Sequence, residues 1–412
     1  TADGQLDVEY QQSMINQIQQ NPFITVVLRG KVFYESPEEA GTICTDIDLT
    51  GVDFDPIENF SGTLISYYEY TNTNAMGTVS ASEMSKYPGG AKVSGENVGL
   101  ILDQPLFSNL SEGAIIQGVK FYLYNGQNTI NFSVVENSAV MTIFRNDEII
   151  LNNNVSLKSR TIDNNEYAGL LVPRAEDTSI VNLQVKFRAS ETGSRVDTFN
   201  ITANSSASGS SNLYFGAIVG LNSQGSSTTQ VSMQQIDFVL LDEEDQEIYS
   251  TQNQTLSPIN INFNYGSNFA SAHGGLYAGR VEKIGGSPRI SMGLSRVDNV
   301  VLNISTDTNT TGDNGYFGGY VGSVSSLDSL TYSAEDLREG ELTNGITVMQ
   351  NSSFENLYAG LAFGEIDSST INISNNNARD AILKGSIYQA NGVSTGLAQI
   401  GGIAGSVSNG SI

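Results

Sequence analysis

Short apolar runs separated by polar turns set the rhythm of this 412-residue chain. Residues 98–102, 115–124, 129–135, 140–144, 149–151, 179–187 and 200–202 are such runs, rich in Val, Ile, Tyr and Phe, and Gly, Asn, Ser and Asp connect them. β-Branched and aromatic side chains fit a pleated sheet and the connecting types fit tight turns, so the pattern predicts an all-β chain of many short strands. Phe121 and Leu123 alternate with Tyr122 and Tyr124, as in a strand exposed on one side. The first 90 residues follow another plan. Residues 7–20 read as a short polar helix with Val8, Met14, Ile15 and Ile18 on its apolar face, ended by Pro22. Residues 23–28 and 31–34 read as the two strands of a hairpin about Arg29-Gly30, and residues 63–70 as a further strand. Tyr87-Pro88-Gly89-Gly90 marks the boundary, and residues 205–211 and 306–314 read as polar loops.

A second, longer period lies over the first. An aromatic or aliphatic residue followed by Gly-x-x-x-Gly recurs in Tyr214-Phe215-Gly216-Ala217-Ile218-Val219-Gly220, Gly275-Leu276-Tyr277-Ala278-Gly279, Tyr316-Phe317-Gly318-Gly319-Tyr320-Val321-Gly322, Tyr358-Ala359-Gly360-Leu361-Ala362-Phe363-Gly364 and Ile400-Gly401-Gly402-Ile403-Ala404-Gly405. Weaker copies are Tyr167-Ala168-Gly169-Leu170-Leu171-Val172, where Pro173 replaces the second Gly, and Val98-Gly99-Leu100-Ile101-Leu102. The later copies are 41 to 59 residues apart, an interval typical of repeat arrays. Between copies a second apolar unit recurs, Val231-Ser232-Met233 with residues 236–240, then Ile290-Ser291-Met292 with residues 297–302. Gly-x-x-x-Gly also marks contacts between membrane helices, but no stretch approaches the ~20 apolar residues of a span. Glycine adopts positive φ freely and Asn more readily than most residues, so both suit tight corners.

The tail, residues 400–412, resembles the glycine-rich repeats called GLUG motifs: apolar-Gly-Gly-apolar-apolar-Gly, a polar turn with Asn409 and Gly410, then Ile412. The resemblance extends at lower specificity over the last three quarters of the chain. It implies the architecture and location of bacterial surface proteins of the adhesin type, where such repeats are accessory segments.

These readings converge on a right-handed parallel β-helix or β-solenoid over residues 91–412, with residues 1–90 as a non-repeat cap; tandem β-sandwich domains are the alternative. At roughly 20 residues per coil, the repeat region would hold about 15 coils in a rod of about 70 Å. The chain opens on Thr1-Ala2-Asp3 without Met, which reads as a processed N-terminus, and stops inside a repeat, which reads as a piece of a longer protein.

Composition narrows the function. With 44 acidic and 19 basic residues the net charge is −25, which argues against nucleic acid and anionic membranes as partners. Only 15% of residues are charged, so Asn, Ser, Thr and Gln must supply the polar surface, as in many secreted β-proteins. Cys44 is the single cysteine, precluding an internal disulfide, and reads as a small buried residue rather than a reactive thiol. His273, the single histidine, rules out His-pair metal sites; it reads as a loop or partner-facing residue rather than a catalytic base. The pairs Asp46/Asp48 and Asp53/Asp55 offer hard oxygen ligands for calcium, yet lack the glycine and closing Glu of an EF-hand loop and read first as a solvated acidic loop. Asp242-Glu243-Glu244-Asp245 reads as a solvated turn. Asn59, Asn131, Asn200, Asn303, Asn309 and Asn372 begin Asn-x-Ser/Thr sequons, meaningful only in a eukaryotic source. Trp is absent, removing the best sugar-stacking platform.

The expectation is a non-catalytic extracellular protein, a segment of a cell-surface adhesin, stalk or filament, with no catalytic, cofactor-binding or metal residue assigned. Its partners would be further copies, other surface proteins or glycans. The alternative is a β-helical polysaccharide-degrading enzyme or tailspike-like depolymerase, which needs a carboxylate pair across a cleft.

Overall fold

The computed structural model describes residues 8–412 except 35–42, 45–46, 73–76, 79–97, 103, 124–132, 135–140, 152–154, 189–197, 204–209, 226–230, 242–246, 249–258, 266–268, 284, 286–288, 294–299, 307–310, 335–345, 352, 376–384 and 390–394. Among the described residues one helix, Val8–Gln20, precedes strands alone. The described strands form four sheets, here called I, II, III and IV, of 15, 8, 6 and 7 strands. Nearly all pairings are parallel, whereas β-sandwich domains are built of antiparallel sheets.

From Asn165 onward the chain visits the sheets in a fixed order, IV, II, I, III, and repeats that circuit five times before entering IV and II once more. One circuit runs Asn212–Gly216 in sheet IV, Val219–Gln224 in II, Val231–Leu241 in I and Ile259–Tyr265 in III. Each strand pairs with the corresponding strand of the next circuit, 39 to 62 residues on, as Ile346 with Gly385, Tyr358 with Gln399, Tyr214 with His273 and Thr198 with Asn260. The expected coil of roughly 20 residues is therefore corrected to the full Gly-x-x-x-Gly interval: four strands share a circuit, and only one corner of it carries the glycine signature. Eight strands of sheet II at about 4.8 Å each span roughly 35 Å, half the length expected.

Alternation fixes which side of each strand is buried. In Ile259–Tyr265, Ile259, Ile261, Phe263 and Tyr265 are buried and the three asparagines between them are half-exposed. Parallel register then stacks like on like. Phe199, Ile261 and Leu302 form one inward column and Ile201, Phe263 and Ile304 the next, all buried. Such columns join one apolar core running from Ile15 of the helix to Ile371. Each large apolar side chain so enclosed contributes about 1.5–3 kcal/mol. Outward, the asparagines form a matching ladder: Asn262 donates to Asn200 at 2.7 Å and Asn303 to Asn262 at 2.8 Å.

Several sequence expectations change. Residues 25–34 form one strand, Thr25–Tyr34, running straight through Arg29-Gly30, because its whole length pairs in parallel with Thr63–Asn72. Val98–Leu102 belongs to sheet I against Val119–Leu123, so it is not a copy of the glycine corner. Ile290–Met292 pairs in register with Val231–Met233 as the repeat implied, but Val300–Thr306 lies in sheet III against Ile259–Tyr265. Of the polar loop read over 306–314, Thr306 ends the strand Val300–Thr306 and residues 311–314 belong to the strand Thr311–Gly318, while 307–310 lie outside the described residues. Gly118 interrupts residues 115–124 at φ 67°, and its register partners Asn146, Asn182 and Gln235 have φ of 57°, 56° and 55°. This kink is stacked through sheet I, and Asn182 donates to Asn146 across it at 2.8 Å. The boundary at 87–90 lies outside the described residues. Sheet I includes strands on both sides of it, Thr63–Asn72 pairing with Ile115–Gln117. Among the described residues no helix is long and apolar enough to cross a membrane.

Candidate functional site

Sheets IV and II meet at the Gly-x-x-x-Gly corner, where steric room decides the residue type. None of these glycines has positive φ; the first and last glycine of each of the five full copies lies where a Cβ would run into backbone. On Gly275 it would sit 2.5 Å from the Ala278 carbonyl oxygen and 2.6 Å from that of Tyr320, and on Gly279 2.5 Å from the Phe215 nitrogen. The corner thus folds strand II against strand IV of the preceding circuit and turns their outer faces towards each other.

That notch is filled by a column of rings two residues before the first glycine of the copies at 169, 216, 275, 318 and 360, the copy at 401 placing Gln399 there. Tyr167, Tyr214, His273, Tyr316 and Tyr358 occupy successive strands of sheet IV in register. Their rings stack at centroid separations of 5.2, 5.0, 4.7 and 5.1 Å, with interplanar angles of 8–23°. The facing row in sheet II is Arg174, Leu221, Arg280, Ser323 and Glu365. Tyr167, Tyr214 and Leu221 form an apolar cluster separate from the main core. A polar row runs beside the rings: Asn165 accepts from the Asn212 backbone N–H at 2.9 Å, Ser271 donates to Asn212 at 2.7 Å, and Asn356 donates to Asn314 at 3.0 Å.

His273 is the centre of this arrangement and is 3% exposed. Ser271 spends its proton on Asn212, so the Ser271 Oγ 2.9 Å from His273 Nε2 must accept, which fixes the Nε2–H tautomer. Nδ1 then accepts from Ser323 Oγ at 2.7 Å and ties sheet IV to sheet II. Burial, with the Arg280 charge adding to it, holds the imidazole well below its ordinary pKa, consistent with a neutral ring. Burial also pushes Tyr167 and Tyr316 up to about 12, with Glu365 adding to the effect on Tyr316. Glu365 is raised by burial and by Asp367 beside it. Arg280 pairs with Glu282 at 2.7 Å.

Ser323, His273 and Ser271 have the connectivity of a hydroxyl, a base and an orienting group, but the placement denies them a substrate. Ser323 is fully buried, both imidazole nitrogens are engaged, and tyrosines cover both ring faces. The ladder rings likewise lie face to face with one another, so sugar stacking has no free face between them. The expectation of a loop or partner-facing His273 is corrected: the residue belongs to strand Ser271–Gly275 and takes a tyrosine's place in the column. Its equal offset from the corner glycine was the signal available in the sequence.

The other singled-out residues do not converge here. Asp48 accepts from the Thr50 backbone N–H at 2.9 Å and its hydroxyl at 2.6 Å, closing a local turn. Asp53 and Asp55 are exposed beside buried Val52 and Phe54. Asp46 lies outside the described residues, as do the 242–245 turn, Asn131 and Asn309. Among the described residues no group of three or more His, Cys, Asp or Glu is arranged to hold a metal. The Cys44 backbone pairs with Val32, and its expected burial lies outside what is described. Asn200 and Asn303 belong to the sheet III ladder, Asn59 exchanges hydrogen bonds with Asn109, and Asn372 donates to Ser329 at 3.2 Å.

Sequence reading missed Asp147. It is 1% exposed behind the sheet I kink; Oδ1 accepts from the Val119 N–H at 2.9 Å, while Oδ2 has no hydrogen-bond partner among the described residues. Burial pushes its carboxyl up to about 8, so it is held largely protonated at neutral pH. No protein-family model, curated protein or solved structure matches the chain.

Proposed function

We propose that the chain is a right-handed parallel β-solenoid acting as a non-catalytic structural or adhesive segment of an extracellular, cell-surface protein of the GLUG-repeat type. The observation that carries this reading is the in-register stacking of four parallel sheets, circuit on circuit, with side-chain columns inside and out. Right-handed crossover is the strong preference for parallel strands joined within a sheet. Such a stack works by rigidity and by presenting the same polar rows at each layer, as the Asn200–Asn262–Asn303 ladder does in sheet III. The closed aromatic notch supports a structural rather than catalytic role, since its single histidine is enclosed on every side.

The test is surface labelling of intact cells of the native source with antibodies against the 412-residue chain. Labelling of intact cells is expected; signal only after lysis overturns the surface assignment. Incubation with a broad panel of acidic polysaccharides is expected to release no reducing or unsaturated ends, and reproducible release overturns the non-catalytic one.

A further inference from the structure

The aromatic column joins two chemically different ends. Tyr167 and Tyr214 are buried, only 4% and 8% exposed, whereas Tyr316 and Tyr358 are half-exposed. Tyr316 and Tyr358 are also the most nearly parallel pair, with 8° between their planes and 5.1 Å between centroids. Between Tyr214 and this pair stands the His273 ring, stacked 5.0 Å from Tyr214 and 4.7 Å from Tyr316. Stacking at such separations brings the π-systems into contact, so an electron can pass from ring to ring without crossing solvent or backbone.

Charges beside the column give it a direction. Arg174 lies over the Tyr167 ring, 5.8 Å from its centroid. Arg280 outweighs Glu282 at Tyr214, whereas Glu365 outweighs Arg280 at Tyr316. A positive hole is therefore disfavoured at Tyr214 and drawn to Tyr316. Proton chemistry points the same way. A phenol that has lost an electron becomes a strong acid, and at the half-exposed end its proton has water to go to. Trp is absent from the chain, so no indole competes as the resting place of the hole.

We propose that the column is a conduit for one-electron oxidation, carrying a hole from Tyr167 through Tyr214 and His273 to the stacked pair Tyr316 and Tyr358. The co-reactant is a one-electron oxidant that reaches the Tyr167 end, as an oxidised metal complex does. It gains one electron. Tyr316 or Tyr358 loses one and releases its phenol proton to water, which leaves a phenoxyl radical, and the rings between end as they began. This role is additional to the structural one, and it depends on ring stacking rather than on where the protein resides.

Photochemical oxidation from one end tests it. The Asp163 side chain is 75% exposed and its partner Arg174 lies over Tyr167, so Asp163→Cys in a Cys44→Ser background gives a single attachment point for a ruthenium(II) polypyridyl complex. A flash in the presence of a cobalt(III) ammine, which takes an electron from the excited complex, leaves ruthenium(III) to draw an electron from the protein. Tyrosyl radicals are captured with a spin trap and located by peptide mass mapping. Capture mainly at Tyr316 and Tyr358 is expected. Tyr214→Phe keeps a ring in the stack but has no phenol to oxidise, so it should fold, lose that capture and confine it to Tyr167. Capture confined to Tyr167 with the column intact overturns the inference. So does capture at Tyr316 and Tyr358 that persists undiminished in Tyr214→Phe, since the hole then travels by another route. Ruthenium(III) that decays no faster than in Tyr167→Phe also overturns it, because the column then accepts no hole.

Discussion

His273 and Asp147 are buried ionisable groups held in their neutral forms, and they impose opposite pH dependences. His273 titrates well below 6.5 in the fold. The unfolded chain therefore takes up its proton first, and stability is full above about 6.5 and falls as pH drops below it. His273→Tyr restores the residue type of the other four column positions and removes that proton. The slope of the urea midpoint between pH 6.5 and 5 is expected to be shallower in the variant; equal slopes would mean that His273 protonates without cost. Asp147 is raised from 3.8 to about 8, so its contribution is full below 3.8, declines as pH rises and is lost above about 8. Asp147→Asn keeps an acceptor for Val119 and cannot ionise, and should gain on the order of a few kcal/mol at pH 9 over wild type, and much less at pH 4. A gain equal at both pH values in denaturant titrations would refute the buried charge as its source. Neither group was read from the sequence, though one of them left a signal there. Asp147 looked like any acidic residue between apolar runs, and His273 was set apart as the lone histidine although its offset from Gly275 matched that of Tyr214 from Gly216.

At the scale of the element, the corner glycines were legible and the reason for them was not. Positive φ was the expected cause, yet the glycines that use it, such as Gly118, lie elsewhere, and the corner copies are excluded from alanine by neighbouring backbone. Gly279→Ala forces a methyl group to within 2.5 Å of the Phe215 nitrogen, where no flexible side chain can yield. Gly402, in the same motif, has nothing within 4 Å of the place a methyl group would take, so alanine there meets no obstacle. Gly279→Ala is expected to lose about 1–3 kcal/mol or more in thermal or chemical denaturation, and Gly402→Ala less than about 0.5 kcal/mol. Similar losses at both would point to backbone entropy, which acts alike on the two sites. The hairpin misread at Arg29-Gly30 has the same lesson in reverse. A local turn signal lost to ten consecutive parallel pairs with Thr63–Asn72, a partner that periodicity could not reveal.

For the whole molecule, the repeat interval was readable from spacing alone, but the number of strands within it was not. Circuits differ in their loops, so only the corner recurs with enough fidelity to be seen, and a coil of half the true size was the natural reading of so many short strands. The register makes a strict demand on length. Gly318 and Gly360 are partners in neighbouring strands of sheet IV, so joining Phe317 directly to Gly360 removes residues 318–359 as one whole circuit and returns the chain to the same column. Sheets II, I, III and IV each lose one strand, and the columns on either side close up: Phe363 takes the place of Val321 in the inward column, and Tyr358 leaves the ring stack. That excision is expected to fold cooperatively, with an unchanged proportion of β structure and a stack shorter by about 4.8 Å. Removing only residues 318–338 instead takes out Val321–Ser325 of sheet II and Ser329–Ala334 of sheet I, so that Ile346–Asn351 of sheet III becomes the next strand after the corner; this breaks the register of every later layer and should abolish cooperative unfolding of the C-terminal half. Circular dichroism melts with X-ray scattering distinguish the outcomes. If both excisions fold equally well, the layers are not coupled by register and the stacked reading fails; if neither folds, each circuit is indispensable to its neighbours and the repeat is not modular.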